Sequence, residues 1–218
     1  MKLAADTGEY KTVFGDLTAF RWSRLAITDD MLKAVANVVL EWSMLEQDFI
    51  KLTRVFWHHY GAGSSIPRSF DARKKALRDF SRTLYAEEPE ELRAFLWFLQ
   101  RLADANGKRD DICHGIPGEV RRRGKTYKCL AIYHPSKPTR YTPVSVARIK
   151  RLHAELIKLD NELSEVMAAT DVAIQASRVA SGETRVWQGF SSHRYDLTPG
   201  NRSPMLPKHV PPPATFRV

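Results

Sequence analysis

The sequence predicts an all-α fold, a bundle of about four main helices with a small β-hairpin inserted before the last of them. Three observations carry this. Apolar side chains return every three or four residues through two long stretches, residues 28–60 and 142–178, and through two shorter ones between residues 70 and 106. An alternation that reads as a strand runs through Thr126–Tyr133. Proline and glycine gather at the joints between these stretches and beyond residue 181 rather than inside them.

Residues 1–27 hold Gly8 and Gly15 and no sustained period, so they are expected to form a loosely structured N-terminal arm. The first helix opens at Thr28, whose hydroxyl suits a cap, with Asp29 and Asp30 at the positive end of the helix dipole. Leu32, Val35, Val39, Trp42, Leu45, Phe49, Leu52 and Phe56 form its expected buried stripe, and Gly61-Ala62-Gly63 ends it. A helix of about thirty residues needs a packing partner along that stripe, because propensity alone does not hold it. The second helix, residues 70–85, carries a narrower stripe of Leu77, Phe80 and Leu84. Pro89, among Glu87, Glu88, Glu90 and Glu91, marks the start of the third. It buries Leu92, Phe95, Leu96, Leu99 and Leu102 and is expected to be interrupted at Gly107. Val120–Arg122 and Thr126–Tyr133 read as the arms of a hairpin around Arg123-Gly124. Thr142-Pro143 is then expected to open the fourth helix, in which Val146, Ile149, Leu152, Leu156, Leu159, Leu163 and Val166 keep helical spacing. Residues 28–180 are thus the expected helical domain, and residues 181–218, rich in proline, an extended or disordered basic tail.

A chain of 218 residues with 43% apolar content can bury one good core, and no apolar run reaches membrane length. The opening residues lack the apolar segment and cleavage site of a secretory signal, so a cytoplasmic location is expected. The two cysteines, Cys113 and Cys129, cannot build a disulfide framework and are expected to be free thiols. Lys and Arg outnumber Asp and Glu by 34 to 25, leaving a formal net charge of +9 that favours a polyanionic partner such as RNA. Lys108, Arg121, Arg122, Arg123 and Lys125 concentrate this charge and are the expected RNA-binding residues. A solvated hairpin whose basic edge discourages strand pairing accounts for the same residues.

Candidate chemistry centres on Arg109-Asp110-Asp111-Ile112-Cys113-His114-Gly115. An arginine that holds a phosphate and a histidine that moves a proton near neutral pH suffice, without a metal or other cofactor, to attack a phosphodiester. The spacing alone decides little, because Arg54–His59 and Arg148–His153 share it. Those two pairs lie inside continuous amphipathic patterns, where such side chains decorate a solvated face. Only Arg109 is followed by a carboxylate, and only His114 by the helix-ending Gly115-Ile116-Pro117-Gly118. Residues five apart on a regular helix point about 140° away from each other, so Arg109 and His114 need not touch. Asp110 and His114, four apart, share a face, and the carboxylate is expected to orient the imidazole; an ordinary exposed acid is the alternative.

This motif resembles the signature of the HEPN superfamily, an arginine, a polar residue, a short spacer and a histidine often followed by glycine. The surroundings are similar too: a long first helix with Trp42 and Glu46, helices leading into the motif, a hairpin after it and a long last helix. The resemblance implies a HEPN-like bundle over residues 28–178 and a homodimer whose two motifs face each other in one composite site. It further implies a metal-independent endoribonuclease of a toxin, antiphage or RNA-processing system, with Arg109, Asp110 and His114 as catalytic residues. An antitoxin or defence-system partner belongs to that picture. Some members have lost catalysis and only bind RNA, a nucleotide or a protein partner, which is the alternative from another class.

Other constellations are weaker. Cys113, His114, Cys129 and His134 offer four zinc-ligating groups at a spacing that matches no common finger. Cys113 as a nucleophile needs a base, and adjacent His114 points about 100° away on a helix. Glu46 lies one turn from Trp42 and either approaches the motif or stays at a surface edge. No glycine-rich loop for cradling phosphates is present.

Overall fold

Caps and apolar periods set the helices. The structure, a computed structural model, describes residues 9–10, 17–23, 26–60, 65–122, 124–133 and 141–180. Among them the chain runs β1 (Glu9–Tyr10), β2 (Leu17–Trp22), α1 (Asp29–Tyr60), α2 (Phe70–Leu84), α3 (Pro89–Cys113), β3 (Ile116–Arg122), β4 (Lys125–Tyr133), β5 (Tyr141–Val144) and α4 (Val146–Ala180). The fold is predominantly helical, with an antiparallel sheet. Thr28 caps α1 as expected, its Oγ1 accepting the Met31 N–H at 3.1 Å, and Ser69 caps α2 through the Ala72 N–H at 3.2 Å.

The sheet is larger than a hairpin. Its five strands lie in the order β1-β2-β3-β4-β5, each pair antiparallel. The hairpin itself has the expected turn: Arg122 pairs with Lys125 around a two-residue loop in which Gly124 takes a φ of 74°, the left-handed backbone that glycine tolerates. Part of the expected arm is strand instead, since β2 pairs with β3 and places Phe20 opposite Val120. Thr18, Phe20 and Trp22 recur at every second position in residues 17–22, too short a run to sustain a period, and the ladder to β3 makes it a strand. Thr142 and Pro143 belong to β5 rather than to a helix, pairing with Ile132 and Ala131. At the outer strand of the sheet, the N–H that proline lacks costs no ladder bond. α4 begins after Ser145, whose Oγ accepts the Arg148 N–H at 3.3 Å. The proposed tail, residues 181–218, and Arg123 and His134 lie outside the described residues.

Two compact units divide these elements. One takes the described residues up to Ser43 with Ala105–Ile157, and holds the sheet. Its core includes Met31, Ala34, Val38 and Trp42 of α1, Ile112 of α3, Leu130, Ile132 and Val144 of the sheet, and Ile149 and Leu152 of α4. The early phase of α1 therefore differs by one residue from the expected stripe, and Leu32 and Val39 are exposed. Both phases fit a three-four period, and only the packing partner selects one. The other unit takes Met44–Asp104 and the described residues from Lys158. It buries Phe49, Leu52, Phe56, Leu77, Tyr85, Phe95, Leu159 and Leu163, with Phe56 and Phe95 rings 5.7 Å apart. Within it Arg101 donates to both Glu162 carboxylate oxygens, at 2.6 and 3.0 Å.

Candidate functional site

Gly107 does not break α3. No atom lies within 4 Å of where its side chain would be, and the helix continues to Cys113. A lone glycine weakens a helix by roughly 1 kcal/mol, too little to stop one whose face is already buried. Arg109, Asp110 and Asp111 are thus helical, and His114 follows the end, its N–H donating to the Asp110 carbonyl at 3.0 Å.

Arg109 is held from three sides. Its guanidinium carbon sits 5.0 Å from the ring centre of buried Trp42, Nη2 donates to Asn106 Oδ1 at 2.8 Å, and Nη1 pairs with Asp110 Oδ1 at 2.7 Å. A partly desolvated cation over an indole contributes on the order of 1 kcal/mol. The side chain keeps 24% of its surface exposed, and although Nε is buried, each Nη carries a second N–H beyond the one so engaged. Asp110 turns to Arg109, not to His114, which changes its expected role: it positions the arginine. The His114 side chain is exposed, and its imidazole has no hydrogen-bond partner among the described residues. Gly115 is fixed by space. A Cβ there would lie 3.1 Å from Leu130 Cβ and 3.3 Å from the carbonyl oxygens of Asp111 and Ile112, so glycine lets the helix end approach β4.

On the neighbouring face of α3, Lys108, Asp111 and Ile112 line a cleft of about 350 Å³. Ile132, Val144 and Leu152 complete its floor, and Arg148, Arg151 and Glu155 its wall. Lys108 Nζ meets the Glu155 carboxylate at 2.9 and 3.0 Å. The sequence reading missed Arg148 and Arg151 as site residues. A signal existed: α1, α2 and α3 carry Asp29 and Asp30, Asp71, and Glu90 and Glu91 in their first turns, whereas α4 has no acid there. Cations at a helix N-terminus oppose the dipole at a cost of about 0.3–1 kcal/mol each.

The expected RNA-binding residues do not form one track. Arg121 and Lys125 are both exposed, but Arg121 pairs with Thr126, the neighbour of Lys125, and strand alternation puts Arg121 and Lys125 on opposite faces of the sheet. Lys108 lies on the cleft, and for Arg122 the register opposite Lys125 is defined.

The alternatives resolve differently. Glu46 accepts from buried Arg73 at 2.6 Å, which also donates to the Arg68 carbonyl, so its role is structural. His153 Nε2 lies 3.8 Å from Glu41, while Arg148 lines the cleft. Arg54 lines an apolar pocket with Val55, Trp57, His58 and Ile66. Cys113 is an exposed free thiol and Cys129 a buried one, and burial with the charge of Glu119 pushes the Cys129 thiol up to about 11. Among the described residues no three His, Cys, Asp or Glu side chains come together as a metal-binding group, and no helix is long and apolar enough to cross a membrane.

Comparison with protein-family models, curated proteins and solved structures finds no match to this chain.

Proposed function

We propose that this chain is a HEPN-like, metal-independent endoribonuclease acting as a homodimer. The observation that carries the reading is the division of labour at the end of α3: Arg109 is locked in place with donors to spare, while His114 stands open to solvent. Such a pair suits a reaction whose nucleophile the substrate supplies. The RNA 2′-oxygen loses its proton to one imidazole and bonds to phosphorus, while the P–O5′ bond breaks and the 5′-oxygen takes a proton from a second, protonated imidazole. A 2′,3′-cyclic phosphate and a 5′-hydroxyl result, and Arg109 stabilises the charge that gathers on the phosphorane oxygens. The two imidazoles come from two copies of the chain, an arrangement a two-fold axis supplies. Leu32, Val39 and Leu40, exposed at 55%, 41% and 64%, give α1 an apolar strip that supports contact with a second copy.

A second reading is favoured by the Arg109–Asp110 pair, which already occupies part of the guanidinium: a module that binds RNA without cutting it. Incubation of purified protein with RNA in EDTA, followed by end-group analysis, separates the two. Cyclic phosphate ends that vanish in His114→Ala support the enzyme. RNA binding with no cleavage, or cleavage undiminished in His114→Ala, overturns it.

A further inference from the structure

The cleft beside the motif takes no part in the chemistry proposed above. Its lining carries three cations against two carboxylates, leaving one positive charge. Lys108 is committed to Glu155. Arg148 and Arg151 have no ion-pair partner among the described residues and face the one remaining carboxylate, Asp111. Two guanidinium groups three residues apart on one helix repel each other, and Arg148, in the first turn of α4, also meets the positive end of its dipole. An anion in the cleft relieves both. Guanidinium forks match paired phosphate oxygens, and beneath them Ile112, Ile132 and Val144 offer an apolar floor on which a base can lie. A volume of about 350 Å³ is at the small end of ligand pockets and suits a single nucleotide.

We infer that this cleft is a nucleotide subsite, in which Arg148 and Arg151 hold one phosphodiester of an RNA strand and the floor receives the adjoining base. The single surplus charge matches a diester, which carries one negative charge. A terminal phosphate carries about two, and Asp111 opposes the second. That the strand is RNA rests on the endoribonuclease reading; the phosphate chemistry does not.

The test is fluorescence anisotropy with a labelled RNA of about ten nucleotides, measured on His114→Ala protein so that the probe survives. Adding Arg148→Ala and Arg151→Ala should raise Kd about tenfold or more, with no loss of Tm, since the two cations repel each other and Arg148 opposes the dipole. The slope of log Kd against log salt should fall by about 0.7, the share of one phosphate on a single strand. Arg78→Ala with Arg82→Ala, which removes the same charge from exposed positions on α2, should change Kd less than about twofold. Uridine monophosphate should displace the probe only at concentrations far above the oligonucleotide's own Kd. An unchanged Kd in the Arg148/Arg151 variant, or an equal loss in the α2 control, overturns the subsite. Displacement by the mononucleotide near the oligonucleotide's Kd overturns the strand and makes the ligand a free nucleotide. Cleavage by wild-type protein is scored in parallel. Arginine-dependent binding without cleavage overturns the endoribonuclease and keeps the subsite, while cleavage with arginine-independent binding does the reverse.

Discussion

Two glycines eight residues apart on the same stretch of chain respond oppositely to the same change. Gly107 is exposed in mid-helix with open space around it, so Gly107→Ala should stabilise the fold by about 0.5–1 kcal/mol, because alanine loses less backbone entropy there. Gly115→Ala forces a methyl group against two carbonyl oxygens and Leu130, and should cost about 1–3 kcal/mol. Thermal melts of the two variants should move in opposite directions, and a rise for Gly115→Ala would contradict the packing of α3 on β4. The cysteines also separate. At pH 8 a thiol reagent should modify Cys113 in the folded protein and reach Cys129 only on unfolding. The raised thiol pKa has a sign in stability as well. Between about 9 and 11 the folded state keeps a proton that the unfolded state has lost, so this contribution is intact below about 9 and falls as the pH climbs to about 11. Melts between those values should show the decline, and it should be shallower in Cys129→Ala.

Among the elements, the sheet departs most from what local sequence suggests. β2 is bonded to β3 over Leu17–Trp22, with an irregularity between Leu17 and Ala19. Deleting residues 1–23 removes β1 and β2 and leaves the β3 edge unpaired. Tm should fall by about 5 °C or more, and the truncated protein should aggregate more readily. A truncation that melts like the full chain would fit a loosely structured arm instead. The helices behave otherwise, because each bond of the helical ladder closes within four residues and each cap within three. Thr28 and Pro89 accordingly mark two of their starts in plain sequence, and the Ser69 cap of α2 is equally local. Thr142-Pro143 does not open α4, although the sequence suggests it, because proline suits a first helical turn and an outer strand equally well.

For the molecule as a whole, the proposed chemistry needs two copies of the chain. Light scattering at micromolar concentration should give twice the 24.9 kDa of one chain, and Leu40→Asp on the exposed strip of α1 should shift the protein toward monomer and lower cleavage in parallel. A monomeric wild-type protein that still cuts RNA would remove the composite site. His114→Ala and Arg109→Ala should each lower cleavage about a hundredfold or more. Arg109→Ala should also cost stability of order 1 kcal/mol, because it strips the cation from Trp42. By itself the sequence determined the four helices, the late stripes of α1, α3 and α4 and the turn at Gly124, since all of these are written in neighbours a few residues apart. The tertiary structure alone decided that residues 17–22 are a strand, that Asp110 serves Arg109, and that Gly115 is a packing glycine. It also decided that Lys108, Arg148 and Arg151 share a cleft. Each of these depends on where a side chain points or on which distant segment lies opposite: Trp42 meets Arg109 across sixty-seven residues of chain, and no local period encodes such a meeting.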